Sequence, residues 1–379
     1  MNNVRSEDLK NIFVNDTPLI DVRAPVEFAQ GHLPGAVNMP ILNDEERAAV
    51  GTTYKQEGNE AAVRLGHQLV SGTVKDTRVA QWKEFIERYP QTVIYCFRGG
   101  QRSQITQRWL KEAGVERPLL LGGYKKARQF LMNELERFCR EHPFLVLSGP
   151  TGSGKTALLK KVAAFRPAVD LEGLAQHRGS AFGSTGVEQP SQVNYENALT
   201  VALLKLEDKL GLGLRLIVED ESRLIGRIHQ PLPFFLRLRE SEVVWIDEPL
   251  ETRVANIFND YITNTAIGIA FEQAPRCAEE EGIFHTQALA LFDKYKRSVH
   301  AISRKLGGLR AQEVLQDITQ AERDFLDMKS LEANKVWIEK LLVYYYDPLY
   351  LSSLERRQVK VQFRGTAAAA EEFLKNLKS

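Results

Sequence analysis

Thr92-Val93-Ile94-Tyr95-Cys96-Phe97-Arg98-Gly99-Gly100-Gln101-Arg102-Ser103 is the most informative stretch of this 379-residue chain. Its β-branched and apolar beginning predicts a buried strand, which leads one cysteine into a glycine-rich turn before a helix that starts near Ser103. Backbone N–H groups of such a turn, together with the amino end of the helix, form a pocket for anions. Cys96, beside Arg98 and Arg102, is therefore expected to be largely a thiolate and to be reactive. A buried structural cysteine is the alternative, but packing alone does not require two arginines and two adjacent glycines there.

Composition places the chain among ordinary soluble globular proteins of about two to three domains. Hydrophobic residues make up 43% of the sequence, and the formal net charge of +1 argues against a nucleic-acid binder that is basic over its whole surface. The three cysteines, Cys96, Cys139 and Cys277, are far apart and show no metal-ligand spacing, which favours a reducing compartment without disulfides. No apolar stretch approaches the length of a membrane span, so we expect a cytoplasmic protein without membrane contacts.

Further α/β elements are expected before the cysteine. Short strands are predicted at Leu19–Arg23 and Ala36–Met39, joined by a loop rich in glycine and proline. Apolar residues at helical spacing predict a helix from Ala80 to Tyr89, which Pro90 ends.

These motifs resemble those of rhodanese-type domains over about residues 5 to 130. The resemblance rests on Leu19-Ile20-Asp21-Val22-Arg23 with Gly31-His32-Leu33-Pro34-Gly35-Ala36, on the position of the Cys96 loop, and on Leu119-Leu120-Leu121-Gly122-Gly123-Tyr124, which looks like the final strand and turn. It implies an N-terminal rhodanese-like domain in which Cys96 carries a persulfide or an analogous chalcogen adduct.

The cysteine loop departs from the usual pattern in length. Five residues separate Cys96 from Arg102, a longer loop than is usual in the sulfur-transferring members. It resembles the loop of rhodanese-fold phosphatases, which holds a tetrahedral oxyanion, so a phosphate-bearing donor or substrate is implied. Asp21 and Arg23 are expected to be scaffold, pairing at the end of their strand.

A second anion-binding loop follows at Phe144-Leu145-Val146-Leu147-Ser148-Gly149-Pro150-Thr151-Gly152-Ser153-Gly154-Lys155-Thr156. An apolar strand runs into Gly-x-x-x-x-Gly-Lys-Thr, which opens a helix, and this is the required context of a P-loop. Its glycines let backbone N–H groups approach a di- or triphosphate, its lysine adds a positive charge, and its threonine hydroxyl is placed for Mg²⁺ or a phosphate oxygen. The predicted phosphate-binding residues are Gly149, Thr151, Gly152, Ser153, Gly154, Lys155 and Thr156.

Later segments supply candidate partners for this loop. Leu214–Glu221 looks like the second acidic strand of P-loop proteins, and either Glu219 or Asp220 is the candidate contact to a metal-bound water. Another buried strand, Val243–Asp247, leads to Arg253, which resembles the lid arginine of small P-loop kinases. These residues together predict a central P-loop domain over 140–283.

Two basic positions are ambiguous. A strand over Ala168–Leu171 leads to the basic, glycine-bearing loop His177–Gly183, where Arg178 is a candidate contact to an anionic substrate. Arg223 is a second candidate. Surface ion pairs explain both arginines equally well.

The remainder, 284–379, is expected to be mostly helical, after a rhodanese-like domain over 1–135 and the P-loop domain. Tyr344-Tyr345-Tyr346, with Arg356, Arg357 and Lys360 downstream, could stack on bases and contact phosphates of single-stranded RNA. Ordinary packing explains such tyrosines as well.

The order of these parts is similar to that of the bacterial tRNA 2-selenouridine synthases, over nearly the whole chain. Cys96–Ser103, Gly149–Thr156, His177–Gly183 and Glu219–Gly226 carry the resemblance. It implies replacement of sulfur by selenium in the wobble 2-thiouridine of tRNA, through an S-geranylated intermediate. Selenophosphate and geranyl diphosphate are the implied co-substrates, with Mg²⁺ as a candidate cofactor. Leu232–Leu236 is a candidate apolar lining for the geranyl chain.

Two other functions stay open on the sequence. One is a P-loop kinase or ATPase with a regulatory rhodanese module, and the other is an ATP-dependent tRNA thiolase. Against the thiolase, no cysteine pair that could form a resolving disulfide lies near the P-loop, since Cys139 stands alone before that strand.

Overall fold

The computed structural model describes residues 3–178, 182, 187–211, 215–272, 278–355, 357 and 359–377. Sequence features at Cys277, at Arg356, and at 179–181 and 183 of the loop that begins at His177 lie outside the described residues. The chain folds into two compact units. The cysteine unit contains 1–141, 189–212 and 228–234, and the P-loop unit contains 142–188, 213–227 and 235–379. The boundaries 1–135, 140–283 and 284–379 stay a prediction.

Helices and strands alternate through the first 141 residues. After a 3₁₀ turn, the elements are α1 (Leu9–Val14), β1 (Leu19–Asp21), α2 (Pro25–Gln30), β2 (Ala36–Asn38), α3 (Asp44–Glu57), α4 (Asn59–Leu69), α5 (Gly72–Arg88), β3 (Val93–Tyr95), α6 (Gln101–Glu112) and α7 (Gly123–Glu141).

The rest of the chain begins with alternating elements and ends mostly in helices. These elements are β4 (Phe144–Ser148), α8 (Lys155–Val162), β5 (Ala168–Val169), α9 (Leu171–Ala175), α10 (Gln192–Leu210), β6 (Leu216–Glu219), β7 (Leu224–Ile225), β8 (Ile228–His229), α11 (Leu232–Arg239), β9 (Glu242–Ile246), α12 (Leu250–Phe258), α13 (Ala266–Glu272), α14 (Ala278–Leu306), α15 (Gly308–Leu326), α16 (Asn334–Leu341), α17 (Asp347–Glu355), β10 (Val361–Gly365) and α18 (Ala367–Asn376). Single π-helical turns, Asn259–Thr263 and Leu342–Tyr346, follow α12 and α16.

Three parallel strands form the sheet of the cysteine unit in the order β2-β1-β3. Their carboxyl ends therefore meet at one edge, and Cys96 follows β3 directly at that edge. The predicted final strand is reduced to single bridges, from Leu119 to Ile94 and from Leu120 to Val4. The strands that the rhodanese-like motifs predict therefore occur in the expected order along the chain, but each of them is very short.

Helix α10 belongs to the cysteine unit although it follows the P-loop in sequence. Val201 and Leu204 are buried in one core with side chains of α1 and α7. At the amino end of α10, Asn194 Oδ1 accepts a hydrogen bond from His32 N at 2.8 Å, and Asn197 Nδ2 donates one to His32 O at 2.7 Å. The glycine- and proline-rich loop after α2 is fixed by these two bonds.

Five parallel strands form the sheet of the P-loop unit in the order β10-β9-β4-β6-β5. The central strand β4 is fully buried, as its apolar sequence predicts. The expected strand at Ala168–Leu171 is shorter, because Asp170 Oδ1 accepts a hydrogen bond from Gly173 N at 2.7 Å and caps α9. The C-terminal region is helical except for β10, which the sequence analysis missed and which pairs with β9 as the sheet's edge strand.

The α/β fold class predicted from the sequence is confirmed. In the C-terminal helices, Phe292, Val299, Ile318, Phe325 and Trp337 share one buried core. Among the described residues, no helix is both long enough and apolar enough to cross a bilayer.

Candidate active sites

Cys96 lies at the carboxyl edge of the first sheet and is only 3% exposed. Its Sγ is 3.2 Å from Ser103 Oγ and 3.9 Å from Gly100 O. Ser103 Oγ also contacts Gly100 O at 3.0 Å, so the first turn of α6 and the glycine turn hold the sulfur from two sides. The predicted strand, cysteine, turn and helix are all present, with the helix beginning at Gln101.

A glycine at the start of α7 supports the cysteine loop from behind. Gly123 has a φ of 57°, and a Cβ built there would lie 2.2 Å from Cys96 O and 2.6 Å from Gly99 N. The following N–H groups of α7 donate hydrogen bonds to the loop, from Tyr124 N to Cys96 O and from Lys125 N to Phe97 O, both at 2.9 Å. Only glycine allows this backbone-to-backbone contact.

The two arginines of the cysteine loop have different environments. Arg98 is exposed, and its guanidinium lies 5.7 Å from the centre of the Phe97 ring. Arg102 is paired with Glu27, with distances of 2.5 and 3.1 Å to the two carboxylate oxygens. Burial raises the pKa of Glu27, but the hydrogen bond and charge of Arg102 outweigh this and lower it. In the part of the chain that the structure describes, an anion at this loop would therefore meet Arg98 without an ion-pair partner and Arg102 as half of an ion pair.

Asp21 and Arg23 form a buried ion pair at the end of β1. Arg23 Nη2 is 2.6 Å from Asp21 Oδ2 and donates to Gly31 O at 2.7 Å. Burial lowers the pKa of Arg23, but the hydrogen bond and charge of Asp21 outweigh this and raise it. Its guanidinium also lies 4.0 Å from the centre of the Tyr124 ring, just after Gly123. The pair thus braces the strand end against the start of α7, as its position in the sequence predicts.

The cysteine loop opens onto a cavity of about 850 Å³. Helices α3 and α4 supply much of its wall, including Val50, Val63 and His67, and Trp109 of α6 contributes from below the loop. The lining of this cavity therefore combines apolar side chains with basic ones, Arg98 among them.

The P-loop follows the central strand β4 and leads into α8. A Cβ on Gly149 would lie 2.4 Å from Ile246 O, so the loop leaves the sheet in contact with the end of β9. Lys155 Nζ donates hydrogen bonds to Gly149 O at 2.7 Å and to Pro150 O at 3.1 Å. Ser153 is completely buried, and its Oγ has no hydrogen-bond partner among the described residues. The loop adopts the geometry that its motif predicts, and it lines a cavity of about 830 Å³.

Six acidic residues are among the described residues that line this cavity, namely Asp170, Glu172, Glu219, Asp220, Glu221 and Asp260, and three of these carboxyl groups have a raised pKa. Thr156 Oγ1 donates to Glu219 Oε2 at 3.0 Å and lies 3.5 Å from Glu172 Oε2. Burial, followed by the charges of Glu219 and Asp170, raises the pKa of Glu172 to about 8. Burial raises the pKa of Glu219 to about 7, although Lys155 and Thr156 oppose this, and burial and Glu172 raise that of Glu221. Of these three carboxylates, the sequence analysis identified only Glu219 as a candidate. Glu172 precedes the predicted acidic strand Leu214–Glu221 by many residues, so no contiguous motif connects it with the P-loop.

Glu219 and Asp220, which the sequence could not separate, have different contacts. Glu219 is 2% exposed and turns to Thr156, while its Oε1 has no hydrogen-bond partner among the described residues. Asp220 Oδ2 accepts a hydrogen bond from Ser148 Oγ at 2.6 Å, and Arg357 Nη1 lies 2.9 Å from Oδ1. Glu219 is thus placed for a contact to a hydrated cation at the P-loop, and Asp220 for holding arginines.

The three arginines predicted from the sequence do not come together. Arg178 lines the cavity, donates to Asp260 O at 3.0 Å and lies 5.4 Å from the centre of the Tyr261 ring. As far as the structure describes the chain, neither Arg223 nor Arg253 lines the cavity. Arg223 is exposed.

Arg253 supports the P-loop from outside. It is 6% exposed, its Nε donates to Thr151 O at 2.8 Å, and its guanidinium pairs with Asp347. Next to it, Asn256 Nδ2 donates to Gly152 O at 2.8 Å. The residue that resembles a lid arginine in the sequence therefore binds one carbonyl of the P-loop in the structure.

Several lining residues were missed by the sequence analysis. They include Glu172, Glu221, Arg239, Asn256, Tyr261, Tyr346, Leu349 and Tyr350. The predicted apolar segment Leu232–Leu236 is not among the described lining residues. Across the described ranges, no group of three or more His, Cys, Asp or Glu side chains is placed to hold a metal ion.

We expect Gly123→Ala to destabilise the cysteine unit by at least about 2 kcal/mol, because the added methyl group meets the carbonyl of Cys96 in a left-handed backbone conformation. The control is Gly114→Ala, where φ is 82° and nothing lies within 4 Å of the Cβ, so only about 1 kcal/mol of backbone strain is expected. Calorimetric unfolding of both variants measures the difference. Equal losses would contradict the contact.

The raised pKa of Glu172 predicts a pH-dependent stability. A carboxyl whose pKa rises from 4.5 to about 8 on folding contributes stability below about pH 4.5 that is lost as the pH rises through 8. Glu172→Gln removes that loss, so we expect its unfolding temperature, relative to the original chain, to be higher by about 2 °C or more at pH 8.5 than at pH 5 in metal-free buffer.

The matched control for this measurement is Glu251→Gln, since Glu251 is exposed in α12. Its effect should be the same at both pH values. If the unfolding temperature of Glu172→Gln differs from that of the original chain by the same amount at both pH values, burial does not raise the pKa of the Glu172 carboxyl.

Comparisons with known proteins cover both units. Residues 6–129 match the family model described as a rhodanese-like domain, and residues 142–379 match that of the tRNA 2-selenouridine synthase AAA domain. The tRNA 2-selenouridine synthase of Bdellovibrio bacteriovorus is 59% identical over 377 residues, which are 100% of this chain and 99% of that protein. Proteins of the same name from Nitrosomonas eutropha and Shewanella halifaxensis are 56% and 44% identical, covering 98% and 99% of this chain and 97% and 99% of theirs. The chain therefore belongs to the tRNA 2-selenouridine synthase family of enzymes.

Proposed function

We propose that this enzyme acts in the cytoplasm on tRNA and replaces sulfur by selenium in the wobble 2-thiouridine, in two steps that use different units. The observation that carries the proposal is that one chain has two separate glycine-containing loops, each after a buried strand of its own parallel sheet, of which one holds a thiol and the other a P-loop lysine. A single-step transferase has no use for the second loop.

In the first step, the P-loop unit binds geranyl diphosphate. The thiouridine sulfur attacks the first geranyl carbon, the carbon–oxygen bond breaks, and the electron pair leaves with diphosphate. Lys155 exchanges its two carbonyl contacts for phosphate oxygens and stabilises that charge. The aromatic and aliphatic part of the cavity wall offers apolar surface to the geranyl chain, through Ile257, Tyr261, Tyr346 and Leu349.

Mg²⁺ is part of this proposal. The Thr156 hydroxyl and the unpartnered Oε1 of Glu219 are oxygen ligands beside the loop, and Mg²⁺ is usually held by one or two carboxylates together with substrate phosphates. The cation would neutralise charge on the diphosphate. Arg178, at the rim of the same cavity, would contact an anionic part of the substrate.

In the second step, the cysteine unit uses selenophosphate. Cys96 is the group that takes up selenium, while Arg98 and Arg102 bind the phosphate part at the glycine turn. Cys96 Sγ attacks selenium, the selenium–phosphorus bond breaks, and its electron pair stays on phosphorus, which leaves as phosphite. The selenium on Cys96 then bonds to the uridine carbon, and the geranylated sulfur leaves with the electron pair of its bond to that carbon. A second thiol, a small cellular thiol supplied from solution, attacks Cys96 Sγ and forms a disulfide with it, so that the electron pair of the sulfur–selenium bond stays on the selenium of the uridine. Phosphite in the ³¹P NMR spectrum of the product is the expected sign of this attack on selenium.

The test is mass analysis of thiouridine-containing tRNA after incubation with geranyl diphosphate, with selenophosphate, with both, or with ATP. We expect a geranyl increment with the first and selenouridine only with both. Cys96→Ala should abolish selenium incorporation and leave alkylation intact. Lys155→Ala should abolish alkylation but convert tRNA that is supplied already geranylated.

Cys139→Ala is the control for loss of a buried cysteine, because Cys139 lies in α7 away from the loop, and it should retain both steps. Full selenium incorporation by Cys96→Ala would exclude Cys96 as the carrier. Release of phosphate from ATP without any change in the tRNA would favour the kinase or ATPase function, and thiolation of unmodified uridine with ATP would favour the thiolase.

A further inference from the structure

Two arginines that the proposed function does not use share one carboxylate in the P-loop cavity. Arg357 Nη1 lies 2.9 and 3.1 Å from the two oxygens of Asp220, and Arg239 Nη1 lies 3.4 Å from one of them. Both arginines line the cavity of the P-loop. Asp220 alone does not balance the two guanidinium charges. The Glu221 carboxyl also acts on Arg239, but burial raises the pKa of Glu221 and so favours its neutral form.

Arg357 has donor atoms that make no hydrogen bond to the described residues. Its side chain is 15% exposed, yet its Nε and Nη2 atoms are buried without a hydrogen-bond partner among the described residues. Burying a charged donor without a partner costs more than burying a neutral one, and such groups are rare in folded proteins. A planar guanidinium with two adjacent donors left over matches the geometry of a phosphate group.

The arginine pair is connected to the P-loop itself. Tyr350 Oη accepts a hydrogen bond from Gly149 N at 2.6 Å and lies 3.4 Å from Asp220 Oδ2. The first glycine of the loop is therefore linked through Tyr350 and Asp220 to Arg357. A ligand with two phosphates on this loop lies within reach of the arginines as well.

The electrostatics of Arg239 agree with this geometry. Burial lowers the pKa of Arg239, Asp220 opposes that effect, and the positive charge of Arg357 lowers the pKa further. A bound anion would offset both burial and repulsion. The sequence associated Arg357 with RNA phosphates, but the structure places its guanidinium in the P-loop cavity.

We propose that Arg239 and Arg357 form a second phosphate-binding site in this cavity, for one phosphate group of the same diphosphate that the P-loop holds. This inference rests on the proposed function for the identity of the ligand. In the alkylation, sulfur bonds to carbon, the carbon–oxygen bond of the diphosphate breaks, the electron pair stays on the diphosphate oxygen, and the thiouridine proton is released to solvent. The guanidinium groups would bind the charge that develops on the leaving diphosphate.

The test is calorimetric titration of the full chain with inorganic pyrophosphate in the presence of Mg²⁺. We expect Arg357→Ala and Arg239→Ala each to weaken binding by about tenfold or more, as for a lost charge-assisted hydrogen bond. Arg357→Lys keeps the positive charge but lacks the two adjacent donors of a planar guanidinium. Compared with Arg357→Ala, it should therefore recover only part of the affinity. Arg237→Ala is the matched control, since Arg237 lies in the same helix as Arg239 but donates to His142 O.

Arg357→Ala also removes a partner of Asp220, so weaker binding by this variant has two explanations, a disturbed fold or a lost phosphate contact. A double variant separates them. The double variant Asp220→Asn with Arg357→Ala restores the balance of charge, and its binding should be as weak as that of Arg357→Ala. Binding of unmodified tRNA should be unchanged in all these variants at two salt concentrations. If the arginine variants bind pyrophosphate normally and lose tRNA instead, the site takes RNA phosphates and the inference is wrong.

The outcomes for the inference and for the proposed function are distinguishable. If pyrophosphate binding is lost in Lys155→Ala but retained in every arginine variant, the P-loop function stands and the second site is excluded. If the original chain does not bind pyrophosphate, the proposed function of the P-loop fails first.

Discussion

Both candidate sites depend on backbone-to-backbone contacts that only glycine permits. At Gly123 a side chain would meet the carbonyl of Cys96, and at Gly149 it would meet the carbonyl of Ile246. At each contact the backbone of the loop and the backbone of the neighbouring element lie too close together for a methyl group to fit between them. Each loop is therefore supported by a neighbouring element where it borders its own cavity.

The supporting elements explain why both loops start where they do. Each follows a buried strand at the carboxyl edge of a parallel sheet, after β3 in one unit and after β4 in the other. In the P-loop sheet the chain runs from β4 toward β5 on one side and toward β9 on the other, so the loop lies where the strand order changes direction. That is the position at which α/β sheets bind ligands.

Contiguous motifs allowed the cysteine loop and the P-loop to be predicted from sequence, because strand, turn and helix are neighbours along the chain. Contacts between distant segments could not be predicted. β10 is short, largely exposed and defined by pairing with β9. Arg357 and Tyr350 follow the P-loop by some two hundred residues, and Arg253 has the right sequence context for a lid but binds the loop carbonyl of Thr151.

The sequence could not distinguish the roles of Glu219 and Asp220, and the three-dimensional structure separates them. The opposite directions of these two side chains divide the P-loop cavity into two sides. Successive side chains at a strand end point to opposite sides. Glu219 therefore turns toward Thr156 and the carboxylates with raised pKa values, while Asp220 turns toward Arg357. The cavity thus has an acidic side that suits a cation and a basic side that suits an anion, with Lys155 at the loop. The diphosphate and Mg²⁺ proposed above would present both charges at once and would compensate both sides, whereas either ion alone would leave one side uncompensated.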